Sequence, residues 1–156
     1  MASQADSLQP GRYFITSSTA ACASIHWLYT AAKMGPVPVM FLPGTKQWPD
    51  GWVPVWDIER KGQRYILRCL GLHITVIENK VFAIPRQCEK NYPPTEFEIV
   101  PKPEEENLYS IMVPDTGKGW VALGSIPLTQ IEVRPHIVSS TTPSSQMFNI
   151  FSVDDE

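Results

Sequence analysis

Several residue groups in this chain could do chemistry if the fold brought them together. Cys22, Ser24 and His26 put a thiol, a hydroxyl and an imidazole within five residues, the ingredients of a nucleophile with its base. All three fall in one strand-like segment, and no Gly-x-Ser-x-Gly elbow surrounds them, so the spacing argues against a nucleophilic site. Cys22 and His26 also have a metal-like spacing, but no second pair such as Cys-x-x-Cys completes a ligand set. His73 and His136 are isolated. Asp115-Thr116-Gly117 spells the short motif of aspartic proteases, yet Pro114 precedes it and Lys118 follows. A lysine beside a paired-carboxylate cleft would disturb its shared proton, so the triplet reads better as a hairpin turn. The chain is therefore expected not to be an enzyme and to need neither metal nor cofactor.

Other functions are bounded by composition. The net charge of −3, without a basic cluster, lacks the positive footprint of a nucleic-acid surface. The longest apolar run, Val37 to Leu42, contains Pro38 and is far short of a membrane span. Three cysteines leave at least one unpaired, which does not suit a disulfide-stapled scaffold. The polar start from Met1 to Gln9 has no signal-like apolar stretch. A reduced, cytoplasmic, monomeric protein is the expectation.

The elements that would position any site are short. Fifteen prolines and nine glycines interrupt the chain, and no segment keeps a helical apolar period over three turns. Period-two patterns or short buried runs predict twelve strands: Arg12–Thr16, Cys22–Leu28, Val37–Leu42, Val53–Glu59, Arg64–Cys69, His73–Ile77, Val81–Ile84, Glu96–Val100, Leu108–Val113, Gly119–Leu123, Gln130–Val133 and Met147–Val153. Turn formers separate them, among them Lys61-Gly62, Glu78-Asn79 and Asp115-Thr116-Gly117. The acidic run Glu104-Glu105-Glu106 reads as a solvated hairpin loop.

An aromatic–x–Ile triplet recurs three times, as Trp56-Asp57-Ile58, Phe97-Glu98-Ile99 and Phe148-Asn149-Ile150. The first two are followed by Tyr65-Ile66-Leu67 and Tyr109-Ser110-Ile111. The partner of the third is expected at the other end of the chain, in Tyr13-Phe14-Ile15. Steps of 41 and 51 residues between the triplets fit an internal repeat, and a last unit that returns to the first strand implies a closed ring. Trp56, Phe97 and Phe148 alternate with polar neighbours and are expected to fill the interior.

With these elements in view, the chain resembles the fungal β-trefoil protease inhibitors called mycospins. The resemblance rests on Gly11-Arg12-Tyr13-Phe14-Ile15, Trp56-x-Ile58 with Tyr65-Ile66-Leu67, Tyr109-Ser110-Ile111, Gly119-Trp120-Val121, and Gln130-Ile131-x-Val133-Arg134-Pro135 leading to Phe148-x-Ile150. It implies an all-β, single-domain β-trefoil over residues 1–156: a six-stranded barrel capped by three hairpins with pseudo-threefold symmetry. Residues 1–10 would precede the barrel as a flexible segment.

The resemblance also implies inhibition of a trypsin-like serine protease by an exposed loop. The acidic specificity pocket of such a protease calls for a lysine or arginine as the P1 residue. The loop between the second and third strands is used in some relatives, and here it carries Lys33 as P1 and Met34 as P1′, with Gly35 and Pro36 following. A competing loop after the seventh strand offers Arg86 or Lys90; Lys46 and Lys118 are weaker candidates. The stretch before the last strand, Ser139 to Ser145, has no basic residue and carries no such site. Two other readings stay open: a carbohydrate-binding trefoil with glycan partners, and a trefoil inhibitor of cysteine proteases. The Gln-x-Trp pattern of ricin-type lectins is absent, since Gln47-Trp48 is adjacent and occurs once.

Overall fold

The computed structural model describes residues 8–17, 22–26, 35–42, 52–102, 105–122, 129–136 and 144–153. Fifteen strands lie among them. They are β1 (Gly11–Ser17), β2 (Cys22–His26), β3 (Val37–Pro38), β4 (Met40–Leu42), β5 (Trp52–Val53), β6 (Val55–Lys61), β7 (Arg64–Cys69) and β8 (Leu72–Ile77). After these come β9 (Lys80–Ala83), β10 (Glu98–Pro101), β11 (Leu108–Val113), β12 (Lys118–Val121), β13 (Thr129–Gln130), β14 (Glu132–Pro135) and β15 (Phe148–Ser152). The only other regular pieces among the described residues are two short 3₁₀ turns, Arg86–Cys88 and Ser144–Gln146. The protein is all-β, with a barrel-like sheet.

Six strands make the ring. β1 pairs with β6, β6 with β7, β10 with β11, β11 with β15, and β15 returns to β1. The remaining gap, between β7 and β10, is bridged by Tyr65 and Phe97. The alternation that predicts these strands is visible in β6: Trp56 and Ile58 are buried while Glu59 and Arg60 face solvent. Closure leaves no free edge in the ring, which removes a template for aggregation.

Three aromatic–tyrosine pairs recur in the register: Tyr13 opposite Trp56, Tyr65 opposite Phe97, and Tyr109 opposite Phe148. The isoleucine of each triplet faces the following ring strand, with Ile58 opposite Leu67, Ile99 opposite Ile111 and Ile150 opposite Ile15. The third triplet does find its partner strand in Tyr13-Phe14-Ile15, as expected. Phe148 lies opposite Ser17 there, and its tyrosine comes from the preceding unit. The sequence order of the pieces conceals this, because antiparallel pairing places each triplet's aromatic against the tyrosine before it rather than the one after.

The difference between twelve expected strands and fifteen has a local cause at each of three breaks. Pro54 has no N–H to donate and separates β5 from β6. Val39 and Ile131 are the other breaks, where the chain changes partners: β3 pairs with β9, whereas β4 pairs with β2 and β13. The backbone groups freed there bond in a cycle. Val39 N–H donates to Val81 C=O at 3.0 Å, Val81 N–H to Ile131 C=O at 3.0 Å, and Ile131 N–H to Val39 C=O at 2.9 Å. All three residues are fully buried, so the cycle satisfies backbone groups that would otherwise be orphaned in the interior.

Trp120 is the centre of the core. Its indole meets Trp56, Phe97 and Phe148 at centroid distances of 6.0, 5.9 and 6.1 Å, each close to edge-on. The expectation that the three triplet aromatics fill the interior is thus met, and all four rings have no solvent exposure. Edge-to-face pairs of this kind contribute about 0.5–1.5 kcal/mol each beyond area burial. Of the N-terminal segment expected to be flexible, residues 8–10 are described, and Leu8 is buried with its carbonyl accepting from Tyr65 Oη at 2.8 Å.

Candidate functional site

Lys33 and Met34 lie outside the described residues, as does Lys46. The strands that flank the Lys33 stretch are described. On one side Trp56 Nε1 donates to Ala23 C=O in β2 at 2.8 Å. On the other, Val37 is buried opposite Ala83, and Val39 belongs to the hydrogen-bonded cycle. Both flanks are therefore held by the core.

Arg86 and Lys90 are both exposed, in the segment between β9 and β10. Arg86 opens a 3₁₀ turn after Pro85, with Cys88 N–H donating to Pro85 C=O at 2.9 Å and Asn91 N–H to Cys88 C=O at 3.0 Å. The next residues are strapped along β8. The carbonyls of Tyr92 and Pro93 bond His73 Nε2 at 2.7 Å and Thr75 Oγ1 at 2.8 Å, and Thr95 Oγ1 accepts from Val76 N–H at 3.0 Å. The strap is rigid, but around Arg86 the backbone turns back on itself. A protease cleft takes an extended chain, and a 3₁₀ turn does not offer one.

The groups that suggested catalysis are inert or turned to other work. Cys22 and Ser24 are both fully buried, and the serine hydroxyl bonds Cys22 C=O at 3.4 Å. Burial pushes the Cys22 thiol up to about 12, only partly opposed by the bond from Ser24. Cys69 is raised too, first by burial and then by the negative charge of Asp57. Thiols so poor in thiolate are not nucleophiles near neutrality. Asp115-Thr116-Gly117 is the turn between β11 and β12, with φ of 65° and 70° at its ends. Thr116 Oγ1 donates to Val113 C=O at 2.8 Å and accepts from Lys118 N–H at 3.0 Å. Asp115 is an exposed ion-pair partner of Arg64 at 3.6 Å. Among the described residues no three His, Cys, Asp or Glu side chains are grouped to hold a metal, and no helix is long and apolar enough to cross a membrane.

One charged cleft was not foreseen from the sequence. A concavity of about 420 Å³ is lined by Glu78, Asn79, Lys80, Lys118, Glu132, Val133, Arg134 and Pro135. Its residues come from the β8–β9 turn, the start of β9, β12 and β14, and these strands pair in the order β12–β14–β9. Only the Glu78-Asn79 turn signal hinted at it, because its other members are joined by long-range pairing.

The sequence profile described as Peptidase inhibitor I66 matches residues 6–152. Among solved structures, the chain is similar to a proteinase inhibitor from Coprinopsis cinerea, with 25% identity and a TM-score of 0.78 over 94% of this chain and 100% of that one. It is also similar in fold to a ricin B-like lectin from Macrolepiota procera in complex with lactose, with 17% identity and a TM-score of 0.66 over 94% and 99%. The Rhizoctonia solani agglutinin matches with 15% identity and a TM-score of 0.64 over 94% and 97%. No curated protein matches the chain.

Proposed function

This chain belongs to the peptidase inhibitor I66 family, and from that premise we propose that it inhibits a trypsin-like serine protease by inserting a substrate-like loop. It is an inhibitor and not an enzyme. The finer reading places Lys33 in the specificity pocket as P1 and Met34 at P1′, on a monomeric, single-domain, cytoplasmic β-trefoil. The ring of six strands, the three tyrosine–aromatic pairs and the cycle of Val39, Val81 and Ile131 are what a barrel capped by three hairpins would have.

The observation that carries the inhibitory reading is the family match across nearly the whole chain. Two further points favour Lys33 over its rivals. Both flanks of its stretch are tied to the core, so a loop there would bind with part of its ordering cost already met. Arg86, by contrast, sits on a 3₁₀ turn.

The test is titration against trypsin, chymotrypsin and papain in parallel, with the wild type and Lys33→Ala. Tight inhibition of trypsin that Lys33→Ala abolishes supports the proposal. Inhibition of papain alone would move the target to a cysteine protease, and trypsin inhibition untouched by Lys33→Ala would move the site to another loop.

A further inference from the structure

The cleft between the β8–β9 turn and strands β12 and β14 has chemistry that protease inhibition does not use. Two lysines and an arginine line it, with two glutamates. Arg134 and Glu132 neutralise each other, Nε and Nη2 lying 3.1 and 3.0 Å from the same carboxylate oxygen. The other three charges are left to the cleft. Among the described residues Lys118 Nζ meets only the neutral Asn79 Oδ1, at 3.4 Å, and Glu78 and Lys80 have no ion pair. Sheet pairing holds them together: Lys118 is opposite Pro135, Glu132 is opposite Lys80, and Val133 N–H donates to Asn79 C=O at 2.8 Å.

The turn at the cleft mouth is strained. Glu78 and Asn79 have φ of 50° and 64°, as a two-residue hairpin turn of this hand requires. Asparagine tolerates that region and glutamate does not favour it. A glycine would relieve the strain, but it would remove the carboxylate from the rim.

We infer that this cleft binds a hydroxylated anion, a sugar acid or a sugar phosphate. The ammonium groups of Lys80 and Lys118 grip its oxyanion, and the Glu78 carboxylate and Asn79 amide take its hydroxyls. Two unneutralised ammonium groups give charge-assisted bonds to an oxyanion. A lone carboxylate accepts from neighbouring hydroxyls and would repel a bare anion, so the ligand needs both features. Among the described residues no aromatic ring lines the cleft, so recognition rests on charge and hydrogen bonding and not on stacking.

The test follows amide chemical shifts of the full chain as glucuronate, glucose 6-phosphate, glucose and inorganic phosphate are added in turn. Saturable shifts at Asn79, Lys80 and Lys118 are expected with at least one of the first two, the responding ligand telling a sugar acid from a sugar phosphate. Glucose should be silent, and inorganic phosphate should bind at least about tenfold more weakly. Lys80→Ala with Lys118→Ala should abolish the shifts at unchanged fold. Glu78→Gln should weaken the sugar anion but not inorganic phosphate. Glucose binding as well as its charged relatives, phosphate binding as tightly, or no saturation with either sugar anion would overturn the inference. Trypsin inhibition by the single Lys80→Ala variant reports separately on the inhibitory reading, because Lys80 is not a P1 candidate whereas Lys118 is one of the weaker ones.

Discussion

Tyr65 and Phe97 exchange both backbone hydrogen bonds, 2.8 Å in each direction, and this one bridge joins β7 to β10 across the last gap of the ring. The same tyrosine anchors the N-terminal entry, since its hydroxyl donates to Leu8 C=O at 2.8 Å. One residue thus couples ring closure to the seating of the chain start. Tyr65→Phe keeps the bridge and removes only the hydroxyl. The expected cost is about 1 kcal/mol, with faster amide exchange confined to residues near Leu8. Exchange that accelerates equally across β7 and β10 would count against this division of labour.

The ring was largely legible in the sequence and the partners within it were not. Period-two alternation gave β6, β11 and β15 to within a residue or two, because one face of each is buried, and the short apolar run Tyr65-Ile66-Leu67, buried on both faces, gave β7. Register was opaque, as the case of Phe148 and Tyr109 illustrates, because composition says which face is buried but not which strand lies opposite. The site divides in the same way. Lys33 was selected by residue type and resemblance, whereas the cleft of Lys80 and Lys118 depends on β9 and β12 both pairing with β14, Lys80 opposite Glu132 and Lys118 opposite Pro135, which no local signal encodes.

Trp56 and Trp120 touch edge-on, yet their indole nitrogens differ. Trp56 Nε1 donates to Ala23 C=O at 2.8 Å, whereas Trp120 Nε1 is buried with no hydrogen-bond partner among the described residues. Phenylalanine at either site removes an indole and leaves some space. At position 56 it also strands a buried carbonyl, an added penalty of about 1–3 kcal/mol. Trp56→Phe should therefore lower the urea midpoint more than Trp120→Phe; the reverse order would show that the Ala23 bond contributes little.

Gly119 has no room for a side chain. A Cβ there would lie 2.6 Å from Ile111 C=O and 2.7 Å from the His136 ring, which itself bonds Trp120 C=O at 3.0 Å. The ring could swing aside but the Ile111 carbonyl belongs to the barrel wall. Gly119→Ala is expected to cost about 1–3 kcal/mol, read as a shift of the thermal midpoint, and His136→Ala should restore only part of it.

Buried thiols make the protein sensitive to alkali. Cys22 has its folded pKa raised to about 12, and Cys69 is raised as well. The unfolded chain therefore releases these protons at lower pH than the native one. Between about 9 and about 12 the native state binds more protons, so stability falls as pH rises through that window. Burial raises the Tyr65 hydroxyl too, which adds to the loss at the upper end. Thermal midpoints should be flat from neutrality to about pH 9 and then drop, with a shallower slope in Cys22→Ala. Cys22 and Cys69 should resist alkylation until the chain unfolds.

The two candidate loops make opposite predictions for single substitutions. Lys33→Ala should weaken trypsin binding by at least about 2 kcal/mol, as for a dominant side chain in a specificity pocket, without moving the thermal midpoint. Arg86→Ala and Lys90→Ala should leave both quantities unchanged, because both side chains are exposed and Arg86 sits on a 3₁₀ turn. Breaking the strap is a stricter control. Thr75→Val removes the bond to Pro93 C=O at 2.8 Å and loosens that loop alone. Inhibition that survives Thr75→Val and fails with Lys33→Ala places the contact on the β2–β3 side; the opposite pattern places it on the strap.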